Sequence, residues 1–272
     1  MKLKDKVVLI TDGASVTGGA IAERFKAEGA ILALNVYPAG SGADAGKGKF
    51  LVHANPASKK EVDAAVASVL AQYGRIDVVV HNNNEVIPAT LEDCTDEVYD
   101  RAMDINVKSA FLFVQAAGAF MKQAGKGNFV FISSIHDEKP NGAAFSYSLA
   151  KGAVKMLVRE MVLDLGPRNV RTNIVSMGPM EGHDKLFSGD LSPLYEHTKE
   201  RIVGNKYLSP EEVANAALFF AGDDCPSANG AELTLDGGFL LTYITRRRPP
   251  AKPEDFIPKS APGAGNKARE GN

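Results

Sequence analysis

The stretch ITDGASVTGGAIAERF, residues 10–25, decides the fold. Before it stands KVVLI at 6–10, a short unbroken apolar run of the kind made by a strand buried on both faces. Residues 20–27 then carry helical spacing and stop at Gly29. A strand, a glycine-containing turn and a helix, in that order, predict one unit of a parallel sheet. The turn of such a unit offers helix N–H groups to an anion. Two places where it wants glycine hold Asp12 and Val16.

Outward from this unit the pattern repeats. AILALNV at 30–36, FLVH at 50–53, DVVV at 77–80, NFVFIS at 128–133 and RTNIVS at 171–176 read as further buried strands. Helices are predicted between them. One is capped by Ser58, one opens at Thr95 and runs on through DINVKSAFLFVQAAGAFM, and one covers about 145–165. SPEE at 209–212 is a capping box with Pro at the first helical position, and AELTLDGG supplies a last strand. Alternating strands and helices imply an α/β fold: a single Rossmann-like, doubly wound parallel sheet with helices on both faces. Ligands in such sheets sit beyond the carboxyl ends of the strands, so the chemistry is expected after Ile10, Val36, Val80, Ser133 and Ser176. Residues 178–207 show no clear period and are expected to cover a substrate, and their mix of Met180, His183, Phe187, Leu191 and Tyr195 allows an apolar or aromatic one without specifying it.

The 272 residues divide into a domain over 1–245 and a Pro-, Gly- and charge-rich extension over 246–272. A net charge of −2 gives no global pull toward nucleic acid or an anionic membrane. No apolar run reaches the roughly 18 to 20 residues that span a bilayer, and the N-terminus does not read as a signal peptide. Cys94 and Cys225 read as two free thiols in a reducing cytoplasm. The five histidines are scattered without metal-ligand spacing, so no metal site is expected.

Chemistry concentrates in SSIHDEKPNGAAFSYSLAK, residues 133–151. Tyr147 and Lys151 are four apart at the start of a helix and share one face. An ammonium beside a phenol favours the phenolate, which predicts a lowered Tyr pKa and a side chain able to exchange a proton with a carbonyl or alcohol oxygen. Ser134, at a strand end, is placed to hydrogen-bond the same oxygen. His136, two residues on, reads mainly as a loop residue within reach of the substrate.

TDGASVTG, HNNN, MDINV, ISS, YSLAK and SMGP follow one another in the order and spacing of the short-chain dehydrogenase/reductase family, which this chain resembles over about residues 5–240. The resemblance implies that Tyr147 is the proton donor or acceptor. It implies that Lys151 lowers the Tyr pKa and holds the nicotinamide ribose, and that Ser134 orients the substrate. Asn106 matches the residue that kinks the long helix and holds a relay water. Thr11, Gly18 and Asn82, with Tyr147 and Lys151, fall on the family's cofactor-binding positions, and the cofactor implied is NAD or NADP. A homodimer or homotetramer, paired through the long helix around Asn106 and the helix carrying Tyr147, is implied as well.

The dinucleotide side departs from the family. Asp12 and Val16 replace the first two glycines of Thr-Gly-x-x-x-Gly-x-Gly. A β-branched Val resists positive φ. A carboxylate about 5 Å from a phosphate, at an effective dielectric near 20, costs on the order of 3 kcal/mol. The second strand ends in Asn35, Val36 and Tyr37, without an acid for the ribose. Asn-Asn-Ala-Gly becomes His81, Asn82, Asn83, Asn84, and Pro-Gly becomes Met177-Gly178. The leading expectation is a nicotinamide-dependent oxidoreductase acting on a small carbonyl or secondary alcohol. The alternatives are an acid–base enzyme without redox cofactor, its vacated groove lined by Asp12, Asn82, Asn83 and Asn84, and a non-catalytic protein on the same scaffold.

Overall fold

Strands β1 (Val7–Ile10), β2 (Ile31–Asn35), β3 (Phe50–Val52), β4 (Val78–His81), β5 (Gly127–Ser134), β6 (Val170–Met177) and β7 (Glu232–Leu235) form one sheet in the order β3-β2-β1-β4-β5-β6-β7. All six pairings are parallel. The chain starts at the centre, winds outward one way through β3, and returns to wind the other way from β4. The expected doubly wound sheet is therefore present, with its switch point between β1 and β4. The computed structural model describes residues 1–39, 48–181 and 198–242. Most of the glycine-rich segment after β2, the part of the expected covering segment that holds His183, Phe187, Leu191 and Tyr195, and the terminal extension lie outside the described residues.

Helices α1 (Val16–Ala27), α2 (Lys59–Tyr73), α3 (Asp96–Met103), α4 (Ser109–Ala124), α5 (Phe145–Leu165), α6 (Thr198–Arg201) and α7 (Pro210–Ala221) connect or follow the strands, with short 3-10 turns at Ile135–Asp137, Gly166–Arg168 and Phe239–Leu241. Alternation along β5 shows how the two cores are divided. Phe129 and Phe131 point into a core closed by α2, α4 and α5, where Phe113, Met121 and Val154 are buried. Val130 and Ile132 point the other way, against Ile21 and Phe25 of α1 and Val213 and Phe220 of α7. Both faces are dry, which is why the strands read as continuous apolar runs rather than alternating ones.

Helix ends follow local chemistry. Ser15 caps α1, its Oγ accepting the Gly18 N–H at 3.1 Å, so the helix begins at Val16 rather than near Ala20. The Ser209 capping box is formed as the sequence predicts, with bonds of 3.3 Å and 2.8 Å to and from Glu212. The long helix opening at Thr95 is interrupted. Between α3 and α4 the backbone makes one π turn, Asp104–Lys108, centred on Asn106. Among the described residues no helix is long and apolar enough to cross a membrane, and Cys94 and Cys225 are free.

Candidate active site

At the carboxyl end of β1 the chain turns sharply into α1. Asp12 takes the left-handed conformation, φ 48°, that glycine would adopt freely. Val16 does not: it is the first helical residue, with 73% of its surface exposed. The backbone demand expected at Val16 therefore falls on Asp12, a residue type that tolerates it. Gly18 is indispensable to the turn, because a Cβ there would stand 2.3 Å from the Asp12 carbonyl oxygen. Thr11 is fully buried and its Oγ1 accepts the Asn82 N–H at 2.9 Å. Asn82 Nδ2 donates to Ser15 Oγ at 3.0 Å and to the Asp12 carbonyl at 3.3 Å. Thr11, Gly18 and Asn82 thus brace the turn from inside.

The braced turn still fits an anion. Among the described residues, the N–H groups of Val16 and Thr17 have no acceptor, while those of Gly18 and Gly19 are taken up by Ser15. Opposing them is the Asp12 carboxyl. Burial pushes its pKa above the ordinary 3.8, the Ser15 hydrogen bond works against that shift, and the Glu85 charge adds to it. Asn35, at the end of β2, spends both ends of its amide on the Ala54 backbone, at 2.9 Å and 3.1 Å. It is a stitch between strands, with Val36 buried and Tyr37 exposed beside it.

The residues matched to the family's proton-transfer positions come together on the other side of the cleft. The first two turns of α5 place Tyr147 and Lys151 on its buried face. The Tyr147 phenol donates to Asn84 Oδ1 at 2.6 Å and is hydrogen-bonded to the Ser134 side chain. Lys151 Nζ lies 5.2 Å from the centre of the Tyr147 ring and donates to the Asn83 carbonyl at 3.3 Å. Burial lowers the Lys151 pKa to about 7. Burial also raises that of Tyr147 above its ordinary 10, against the Ser134 hydrogen bond. The expected lowering of the Tyr pKa by Lys151 is not found. Desolvation outweighs pairing, and the ammonium meets the ring rather than the phenolic oxygen. Asn106 is fully buried in the π turn. Its Nδ2 donates to the Ala102 and Glu85 carbonyls, both at 3.0 Å, and its Oδ1 has no partner.

Several neighbours carry weight that sequence reasoning did not assign. Ser109 spends its only proton on the Ile105 carbonyl, so His81 Nε2, 2.8 Å away, must be the donor. His81 is therefore a neutral imidazole, its pKa driven to about 3 by burial and by the Lys151 charge. His136 packs edge-on to Tyr147 at 5.3 Å, with Nδ1 3.2 Å from Ser148 Oγ. Just beyond it, Asp137, Glu138 and Glu232 converge. Lys155 fills their centre at 3.3, 2.8 and 2.8 Å, so the cluster is an anchor for the loop after β5. Burial alone would lower the Lys155 pKa, but the hydrogen bonds from Glu138 and Glu232 hold it above 10.5.

Ser134, His136, Tyr147 and Asn84 open onto a cavity of about 260 Å³ whose other walls come from the segments after β5 and β6, from α6, and from Phe239. Lys139 and Arg201 line it too. Neither was visible as a site residue, because only the tertiary fold brings their segments together.

Comparison with known proteins gives the same architecture and the same constellation a family. Residues 14–240 match a family model described as Enoyl-(Acyl carrier protein) reductase. The chain is 30% identical over 246 residues to cyclopentanol dehydrogenase of Comamonas sp. (strain NCIMB 9872), covering 88% of this chain and 98% of that one. It is 29% identical over 249 residues to glucose 1-dehydrogenase 2 of Bacillus subtilis (strain 168), covering 88% and 96%. A solved short-chain dehydrogenase/reductase from Serratia marcescens superposes with a TM-score of 0.79 at 28% identity, over 88% of this chain and 99% of that one. The chain belongs to the short-chain dehydrogenase/reductase family of NAD(P)-dependent oxidoreductases.

Proposed function

We propose that the protein moves a hydride between NAD or NADP and the carbonyl or secondary alcohol carbon of a small molecule, with Tyr147 handling the proton. The observation that supports this reading most is the meeting of the Ser134 and Tyr147 side chains on one cavity wall, with Lys151 buried 5.2 Å from the Tyr147 ring. The nicotinamide, when bound, supplies the hydride donor or acceptor. Val16 and Thr17 N–H groups are the donors for its pyrophosphate, on the turn that Thr11, Gly18 and Asn82 brace. Lys151, with a single bond of 3.3 Å, keeps further donors for ribose hydroxyls.

In the reductive direction a substrate carbonyl oxygen displaces Asn84 Oδ1 as the acceptor of the phenolic proton. The Ser134 hydroxyl adds a second hydrogen bond, and Ser134 Oγ is itself held by the His136 N–H at 3.3 Å. Burial keeps the proton on Tyr147 until negative charge develops on the substrate oxygen, and the proton then crosses to it. Asn106, locked in the π turn with a bare carbonyl oxygen, fits the relay role, and oxidation runs the same steps backward. The two alternatives raised by the eroded glycine motif have less support, because the turn keeps its cap, its bracing and its open N–H groups.

The working form is a homodimer or homotetramer in a reducing cytoplasm. Leu149, Met156 and Leu163 are exposed at seven-residue intervals along α5, and Phe111 is exposed on α4. Such a stripe on a stable helix fits a second copy. Sedimentation showing a monomer at working concentration would remove that assignment. For the reaction, titration with NADH and with NADPH, followed by fluorescence and heat, is expected to give micromolar binding that Lys151→Ala weakens at least tenfold. No binding up to millimolar dinucleotide would overturn the oxidoreductase reading.

A further inference from the structure

Lys139, in the segment after β5, and Arg201, at the end of α6, meet over one ring. Lys139 Nζ is 5.5 Å and the Arg201 guanidinium carbon 4.7 Å from the centre of Phe239. Both also reach one backbone oxygen, that of Thr242, at 3.5 Å and 3.4 Å. Both are half-buried, and both line the cavity that holds Ser134 and Tyr147. Two like charges drawn to one ring and one carbonyl repel each other, and placing them together costs stability unless something answers them. Among the described residues neither has an ion-pair partner, and no carboxylate lines the cavity. Asp236, close by in the chain, spends its carboxylate on the N–H groups of Gly238 and Leu240, both at 2.8 Å.

Elsewhere Lys2, Lys6, Lys49, Lys108, Lys122 and Lys155 each face a carboxylate within 4 Å. Lys4, Lys26 and Lys60, which have no ion pair among the described residues, lie exposed to water, whereas Lys139 and Arg201 are half-buried in a cavity wall. The cavity thus combines a hydroxyl pair for an oxygen that gains and loses a proton, an apolar lining from Val86, Ile135, Met177 and Phe239, and two uncompensated cations. A cleft lined by one sign of charge concentrates ligands of the other sign. A guanidinium fork matches a carboxylate in two-point geometry. At about 260 Å³ the space suits a compact molecule.

Building on the oxidoreductase reading, we propose that the substrate is a small oxo or hydroxy acid, its carboxylate held by Lys139 and Arg201 while its carbonyl or hydroxyl oxygen lies between Ser134 and Tyr147. The anion is then a recognition handle and takes no part in the bond changes.

The test compares acetoacetate and levulinate with their neutral amides, which keep the ketone and lose the charge. Dinucleotide-linked turnover is expected to show a KM for each acid at least tenfold below that of its amide, with the preference shrinking as salt is added. Arg201→Gln with Lys139→Gln is expected to bring the acid-to-amide ratio toward one, and Arg201→Lys with Lys139→Arg to retain most of it. Calorimetric titration of the protein with levulinate alone reads the anion seat without any reaction, and titration with NADPH reads the dinucleotide site separately. Levulinate binding without dinucleotide binding would remove the oxidoreductase reading and leave the anion seat standing. Dinucleotide binding with no preference for acids, or a preference that Arg201→Gln with Lys139→Gln leaves intact, would overturn the proposal alone.

Discussion

The two sides of the cleft differ in what each has kept. On the α5 side, the candidate residues Tyr147, Lys151, Ser134 and Asn106 are each buried and held by named partners. On the α1 side the shape of the turn survives while its chemistry has changed. Gly18 and the Ser15 cap remain, but a carboxylic acid sits in the left-handed position and the ribose-binding acid is an Asn stitched to Ala54. The difference teaches that a backbone shape and its electrostatic content are separable. A turn can preserve its hydrogen bonds, which fold it, while altering the charge that decides how tightly it holds a ligand.

The largest expected effect breaks the comparison on the α5 side. Among the described residues lining the cavity, Tyr147 carries the one phenol; Tyr147→Phe is expected to lower kcat by about 10²- to 10⁴-fold, with dinucleotide affinity unchanged within a few-fold. Single-turnover kinetics and an equilibrium titration separate the two. Retained turnover would remove Tyr147 from the reaction.

Next in size is the α1 side. Asp12→Asn removes the charge and leaves the backbone demand, and Asp12→Gly removes both. Each is expected to tighten NADH or NADPH, by up to about a hundredfold for Gly. For the native chain the sign with pH follows from the raised Asp12 pKa. Its protonated form is the one favoured on folding, so affinity should rise as pH falls toward that pKa, and the dependence should vanish in both variants. Flat pH behaviour in the native chain would separate Asp12 from the dinucleotide.

Lys151 and His81 sharpen the comparison through stability. Both pKa values are depressed by burial, to about 7 and about 3, so the unfolded chain binds more protons than the folded one between those values and the ordinary 10.5 and 6.5. Stability therefore rises with pH across 7–10.5 for Lys151 and across 3–6.5 for His81. At 1.36 kcal/mol per unit, the burial of Lys151 withholds on the order of 5 kcal/mol at and below neutrality. Lys151→Met is expected to raise Tm at pH 7 while abolishing turnover, a gain that shrinks toward pH 10. A lower Tm at pH 7 would contradict the depressed pKa.

The smallest effect concerns Asn84. Its Oδ1 accepts the phenolic proton, and an acceptor on that proton favours the neutral phenol. Asn84→Ala is expected to move the alkaline limb of the pH–rate profile downward by less than about one unit, the worth of one hydrogen bond of about 1 kcal/mol. An upward shift would reverse the sense of the contact.

Much of this was legible in the residues. Strands buried on both faces announce themselves as VVLI, VVVH and FVFIS, and the Ser209 capping box is a local signal with a local result. The start of α1 was hidden because Val16, Thr17, Gly18 and Gly19 are poor helix formers, and the Ser15 cap and the sheet impose the helix there. The π turn at Asn106 was hidden because an inserted turn leaves the apolar pattern on either side intact. The family resemblance supplied the four candidate positions Asn106, Ser134, Tyr147 and Lys151. It did not supply the sign of the Tyr147 shift, because the spacing of Tyr147 and Lys151 says that they meet and not how deeply they lie. Lys139 and Arg201 are separated in the chain by α5 and β6, and no pattern in one dimension brings them to the same ring.

The helix α5 carries two addresses on opposite sides. Tyr147 and Lys151, four apart, face the sheet, and Leu149, Met156 and Leu163, seven apart, face out. Each residue advances the helix by about 100°, so a single residue inserted or deleted after Lys151 would swing Met156 and Leu163 off the outer face while leaving Tyr147 and Lys151 in place. Length variation, which loops absorb freely, is therefore closed to this segment. Two demands written on one rod must be inherited in a single reading frame.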